Sequence, residues 1–167
     1  MNRNCAPTLT AVSGKPCPAH RQRAFTLLEL MFAVATMAVL AAVAVPSYVR
    51  YVQRAQAGQA VRDIGTLQLR ISKFSLANAR LPLDLAELGA PQLVDPWNRP
   101  YVYLNFELNP PPGARRKDKN LVPLNTDYDL YSTGEDGRSN APLTAAASRD
   151  DIIRANNGSY IGAAEDY

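Results

Sequence analysis

The sequence predicts an α+β fold: a long N-terminal α-helix, its first half transmembrane, packs on a small antiparallel β-sheet domain with a C-terminal loop. Three observations predict it. From Phe25 to Val45 the only charged side chain is Glu29, and the run is long enough to cross a bilayer, which takes about 20 apolar residues. From Val61 to Phe74 apolar residues return every three or four positions, the spacing of one helix face. Further on, Tyr101–Leu104 and Tyr128–Ser132 are short tyrosine-rich and aliphatic segments bounded by turn-forming residues, as the strands of a hairpin are.

Residues 1–20 scatter Pro, Gly, Ser and Thr without periodicity and read as disordered. Residues 1–24 carry Arg3, Lys15, Arg21 and Arg23 and no acid. Without them, 14 of the 18 basic residues face 15 acidic ones, and the formal charge moves from +3 to −1. The basic balance therefore belongs to this segment and argues poorly for nucleic-acid binding. Basic residues ahead of a span keep the N-terminus in the cytoplasm. Residues 46–167 then lie across the membrane, which in a diderm bacterium is the periplasm. Cys5, Cys17 and the single histidine, His20, also fall here. If this segment is removed, the rest has no disulfide, thiolate, imidazole base or usual zinc ligand.

Pro46 removes a backbone donor and crowds the preceding turn, so a kink is expected in an otherwise continuous helix. The helix resumes through Tyr48 and Val52, and Val61, Ile64, Leu67, Ile71 and Phe74 then form one seam, with Arg50, Arg54, Arg62, Asp63 and Arg70 on other faces. Running to about Ala77, it would be roughly 80 Å long. Residues 25–45 are apolar all round and face lipid or sister helices, whereas 46–78 are amphipathic and present their seam to the globular domain, 79–167. Gly58 and Gly65 weaken the second half by up to about 1 kcal/mol each.

Asn78–Pro91 connects, with at most a short helical turn capped near Asp84. Asp95-Pro-Trp-Asn-Arg-Pro100 is a turn that opens the first strand, because its prolines cannot sit in a central one. Trp97 reads as a core aromatic covering the open end of a small sheet. Between the strands, Asn109–Asn120 is a proline-stiffened, then basic, exposed tip, and its Arg115–Lys119 run reads as a solvated loop.

Arg21-Gln-Arg-Ala24-Phe25-Thr-Leu-Leu-Glu29-Leu resembles the processing site of type IV pilins and type II secretion pseudopilins. The resemblance implies cleavage between Ala24 and Phe25 by a membrane-embedded prepilin peptidase, which also methylates the new amine. Glu29 becomes the fifth residue of the mature chain. The family usually has Gly before the cut; Ala24 is the next smallest residue. Many pilins also have a Pro at the place of Pro46.

A carboxylate at the centre of a spanning helix costs about 2.5–3.5 kcal/mol on insertion scales. Glu29 has two readings. One is a helix-start carboxylate favoured by the macrodipole, worth roughly 0.3–1 kcal/mol. The other, which follows from the cleavage, is an assembly contact in which the Phe25 ammonium of a neighbouring subunit neutralises it. An ordinary secretory signal is a third reading of the whole segment, since Ala42-Val43-Ala44 has the form of its cleavage site. Its apolar core, however, runs about 7–15 residues, and this one is longer and contains Glu29.

Asp95-Pro-Trp-Asn-Arg-Pro-Tyr101 and Tyr128-Asp-Leu-Tyr-Ser-Thr-Gly-Glu-Asp-Gly137 are similar to blocks of the major, G-type pseudopilin. The long tip and the tail after Gly137 depart from it. The resemblance implies a structural calcium ion in the loop after the second strand, with Asp136, Asp151 and, as a weaker match, Asp150 supplying carboxylates. Carbonyls near Leu130 and Thr133 would complete the six to eight oxygens calcium takes. A cation bound only by the folded form would add about 2.7 kcal/mol at a hundredfold excess over Kd. The alternative is a solvated acidic loop, favoured by the long spacer and by Arg138 and Arg149. Asp127-x-Asp129-x-Tyr131-Ser132 is not an EF-hand, lacking an oxygen ligand at its fifth position and Gly at its sixth.

The resemblance implies a non-enzymatic protein: a single-pass inner-membrane subunit that polymerises into a periplasmic pseudopilus and drives exoproteins through an outer-membrane channel. Its implied partners are copies of itself, minor pseudopilins, the prepilin peptidase and an inner-membrane assembly platform, with a cytoplasmic ATPase supplying energy and no nucleic acid. Two alternatives stand beside it. A type IV pilus subunit for adhesion, motility or DNA uptake would often carry a C-terminal disulfide. A membrane-tethered periplasmic enzyme would work through Asp and Glu alone, but no two carboxylates pair convincingly.

Overall fold

The computed structural model describes residues 25–89, 93–111 and 113–167. The expected leader, with Ala24, Cys5, Cys17 and His20, lies outside the described residues. The chain divides into two units, residues 1–43 and 44–167.

In the first unit, helix α1, Leu27–Asn78, begins. Thr26 Oγ1 accepts the Glu29 amide at 3.2 Å, satisfying one of the donors a helix start leaves free. Every side chain from Phe25 to Val43 is exposed within the chain. Phe25, Leu28, Met31, Phe32, Met37 and Leu40 are among the large apolar ones. The helix is long and apolar enough to cross a membrane.

The second unit takes the rest of α1, with Pro46 inside it. Ala60, Ile64, Leu67 and Ile71 are fully buried, while Val61 and Phe74 are half-buried. The seam is thus the expected one, with the small Ala60 added at its N-terminal end. The helix stops at Asn78, whose Nδ2 donates to Phe74 O at 2.9 Å, and Ala79 turns to φ +53°. A short turn at Ala86–Leu88 is capped as expected: Asp84 Oδ1 accepts the Ala86 and Glu87 amides.

Four strands form an antiparallel sheet in the order β1-β2-β3-β4: β1 Val102–Asn105, β2 Tyr128–Ser132, β3 Ile152–Ala155 and β4 Tyr160–Ala163. The β1–β2 pairing sets Tyr103 opposite Leu130, the hairpin expected from the sequence. Side chains alternate faces along a strand. Tyr128, Leu130 and Ile152 join the α1 seam in one core, and Ile153 and Ala155 meet Leu124, Leu143 and Ala164 in a second. Trp97 packs against the helix-side core, as a core aromatic should.

Two expectations are corrected. The tail is more than a C-terminal loop, because it supplies β3 and β4. Asn156, Asn157 and Gly158, all at positive φ, turn the chain between them. β3 is buried on both faces, so it shows no apolar–polar alternation to betray a strand. The Arg115–Lys119 run is not wholly solvated either. Arg116 is only 2% exposed, because its segment folds back over the second face of the sheet, where Leu124 N donates to Arg116 O at 3.0 Å.

Candidate functional site

Two places bear on function: the start of α1 and the loop from Thr133 to Asp151. At the helix start, Glu29 is the third residue of α1 and the only acidic residue of its first turn. It is exposed on a helix whose surrounding residues are apolar. Its amide is tied to Thr26, and its carboxylate stands where the positive end of the helix dipole favours it.

The loop after β2 is anchored by the Trp97 turn. Asp95, 3% exposed, accepts the amides of Trp97 at 3.1 Å and Arg99 at 2.8 Å with Oδ1. Its Oδ2 accepts from the Ser132 hydroxyl, and Ser132 Oγ in turn accepts the Gly134 amide at 3.2 Å. Asp95 therefore shapes its own turn and fastens it to the end of β2. Arg99 then reaches across the loop, donating to the carbonyls of Gly134 and, at 2.9 Å, Glu135.

The predicted calcium ligands are spread along this loop. Asp136 is exposed; its amide donates to Asp150 Oδ2 at 2.9 Å, and its Oδ1 accepts the Arg138 amide at 2.7 Å. Asp151 is fully buried. Its Oδ2 accepts from Arg116 Nη2 at 2.5 Å and from Ser139 Oγ at 2.6 Å. Burial pushes the Asp151 carboxyl up to about 6, against the opposing pull of Ser139 and Arg116. Leu130 is a core residue of β2, and Thr133 follows directly after that strand. Among the described residues, no group of three or more Asp, Glu, His or Cys is gathered as a metal cage. The donor set does not fit calcium, because its buried carboxylate already holds a guanidinium.

Arg99, Arg116, Ser139 and Asp95 organise this loop, and sequence reasoning did not select them. Arg116 sits in a run of like charges that reads as solvated, and only the fold-back onto the sheet distinguishes it from Arg115. Asp95 carried a signal, since an Asp two residues before Trp in a proline-flanked turn is placed to accept its own downstream amides.

Comparison with known proteins bears on both places. Residues 19–45 match the prokaryotic N-terminal methylation motif, which covers the helix start and Glu29. The chain is also 32% identical over 155 residues to the type II secretion system core protein G of Pectobacterium carotovorum subsp. carotovorum, covering 90% of this chain and 92% of that relative. The chain belongs to the type IV pilin-like family and is a G-type pseudopilin. No solved structure matches. That likeness covers 90% of the chain, so the pseudopilin reading rests on far more than its N-terminus. The fold agrees: one long N-terminal apolar helix and a four-stranded antiparallel sheet.

Proposed function

We propose that this pseudopilin is the major subunit of a type II secretion pseudopilus, a periplasmic filament that drives protein export through the outer membrane. The observation that carries the reading is a helix start exposed and apolar on every side, with Glu29 as its single charge. Such a surface needs lipid before assembly and sister helices after it. In this reading the prepilin peptidase cuts between Ala24 and Phe25 and methylates the amine. The Phe25 ammonium of one subunit then meets Glu29 of the next, and Pro46 lets the helix bend between its membrane and periplasmic halves. The subunit is held in the inner membrane with its N-terminus cytoplasmic, and it works with minor pseudopilins and the assembly platform.

The test pairs mass spectrometry of the membrane-extracted protein with a Glu29→Ala variant. A mature chain starting at methylated Phe25, and a variant that enters the membrane but forms few filaments, are expected. A start at Val45 points to ordinary secretion and overturns the reading, and full filament yield from Glu29→Ala overturns the ammonium contact.

A further inference from the structure

Two arginines from elsewhere in the chain occupy the acceptors of the loop between β2 and β3. Arg99, from the Trp97 turn, takes the carbonyls of Gly134 and Glu135. Arg116, from the segment joining β1 and β2, takes Ser139 Oγ and the Asn140 carbonyl with one nitrogen and Asp151 Oδ2 with the other. The Arg116 side chain is 3% exposed and that of Asp151 is not exposed at all. The guanidinium also lies 4.6 Å from the centre of the Tyr131 ring, and the Arg116 amide donates to Asp129 Oδ2 at 2.7 Å. A buried guanidinium persists only where acceptors replace its water, and these groups from three segments supply them.

We propose that the Arg116 guanidinium is the resident cation of this loop, holding the Asp151 end closed without a divalent metal. This closure does not depend on the pseudopilin reading; filament assembly does. Three features carry the inference. First, a divalent ion on Asp151 would lie beside a buried positive charge, where low dielectric makes repulsion costly. Second, calcium takes six to eight oxygens, yet the Gly134, Glu135 and Asn140 carbonyls already accept from guanidinium groups. Third, the buried atoms left without partners in this pair are one donor, Arg116 Nε, and one acceptor, Asp151 Oδ1. A cation there would satisfy the acceptor and leave the donor stranded. Arg99 completes the arrangement at the other end of the loop, where its guanidinium lies against Gly137.

The experiment uses the full chain in detergent, with thermal unfolding followed by the fluorescence of its single tryptophan and calcium binding measured by equilibrium dialysis. Expected are equal unfolding midpoints in chelator and in millimolar calcium, and no stoichiometric calcium uptake. Arg116→Gln should lower the midpoint by about 10 °C or more, as loss of one partner of a buried pair implies. The double variant Arg116→Gln with Asp151→Asn should recover part of that loss. A midpoint raised by calcium in the unsubstituted chain, or stoichiometric uptake, overturns the proposal. So does an unchanged midpoint in Arg116→Gln. If Arg116→Gln does not fold, the dialysis of the unsubstituted chain still decides. Filament yield should likewise be equal with and without chelator. Absence of filaments under both conditions counts against the pseudopilus reading and leaves the midpoint comparison intact.

Discussion

Arg154 on β3 and Asp127, the residue before β2, form a two-bonded ion pair, Nη2–Oδ2 at 2.7 Å and Nη1–Oδ1 at 2.9 Å. The same guanidinium donates to Tyr128 O at 3.0 Å and, through Nε, to Gln68 on α1 at 3.0 Å, and it stacks 3.9 Å from the centre of the Tyr128 ring. One side chain thus ties the helix, the second strand and the third. Arg154 is 4% exposed, while the Asp127 side chain, 35% exposed, still reaches water if Arg154 is lost.

Arg154→Ala is expected to destabilise the globular unit by about 2–3 kcal/mol, less than the cost of breaking a fully buried pair because Asp127 keeps contact with water. Arg154→Lys should recover little of this, because an ammonium cannot reproduce the planar fork that holds Asp127, Tyr128 O and Gln68 together. Denaturant unfolding of both variants measures it.

Gly137 stands at φ +69°, and a Cβ built there would lie 2.5 Å from Arg99 Nε. Gly137→Ala should cost more than about 1 kcal/mol, from left-handed strain together with displacement of the guanidinium. Gly113 meets nothing within 4 Å, and Gly113→Ala should change stability by less than about 0.5 kcal/mol. The two midpoints, compared directly, separate a positioned glycine from an incidental one.

Ile64 is fully buried in the helix-side core, whereas Leu69, on the same helix, is 65% exposed. Ile64→Ala should cost about 2–5 kcal/mol through lost burial and the cavity left behind. Leu69→Ala should stay within about 0.5 kcal/mol. Equal losses at both positions would contradict the placement of the seam.

Alkaline pH tests the tyrosines of the sheet. Burial pushes the Tyr128 hydroxyl up to about 12, with Arg154 opposing the shift. Tyr101 and Tyr103 are raised further by burial, and at Tyr101 the nearby Asp63 adds to the effect. A raised folded-state value means that the stabilising contribution is fully present below the ordinary value of about 10. It is lost as pH rises through about 12 and above. Ultraviolet titration should show these hydroxyls ionising late and together with unfolding.

The helix, its buried seam and the β1–β2 hairpin were legible because each rests on local order: apolar spacing for Ile64, Leu67 and Ile71, and turn chemistry around Asp95 and Pro100. β3 and β4 were not, because Ile152–Ala155 is buried on both faces and carries no alternation, although Asn156-Asn157-Gly158 was a usable turn signal. At the candidate site, Asp136 and Asp151 both lie in the segment between β2 and β3. Their partners were not legible, because Arg116 stands well apart from both Ser139 and Asp151 in sequence.

The sequence by itself determined the membrane-length helix and its lone Glu29, because a periodic apolar pattern and a misplaced charge are properties of neighbouring residues. Only the tertiary structure decided which cation faces Asp151. That depends on the fold-back that buries Arg116, since a guanidinium in water and one under the sheet have the same spelling in the chain but very different needs for a partner.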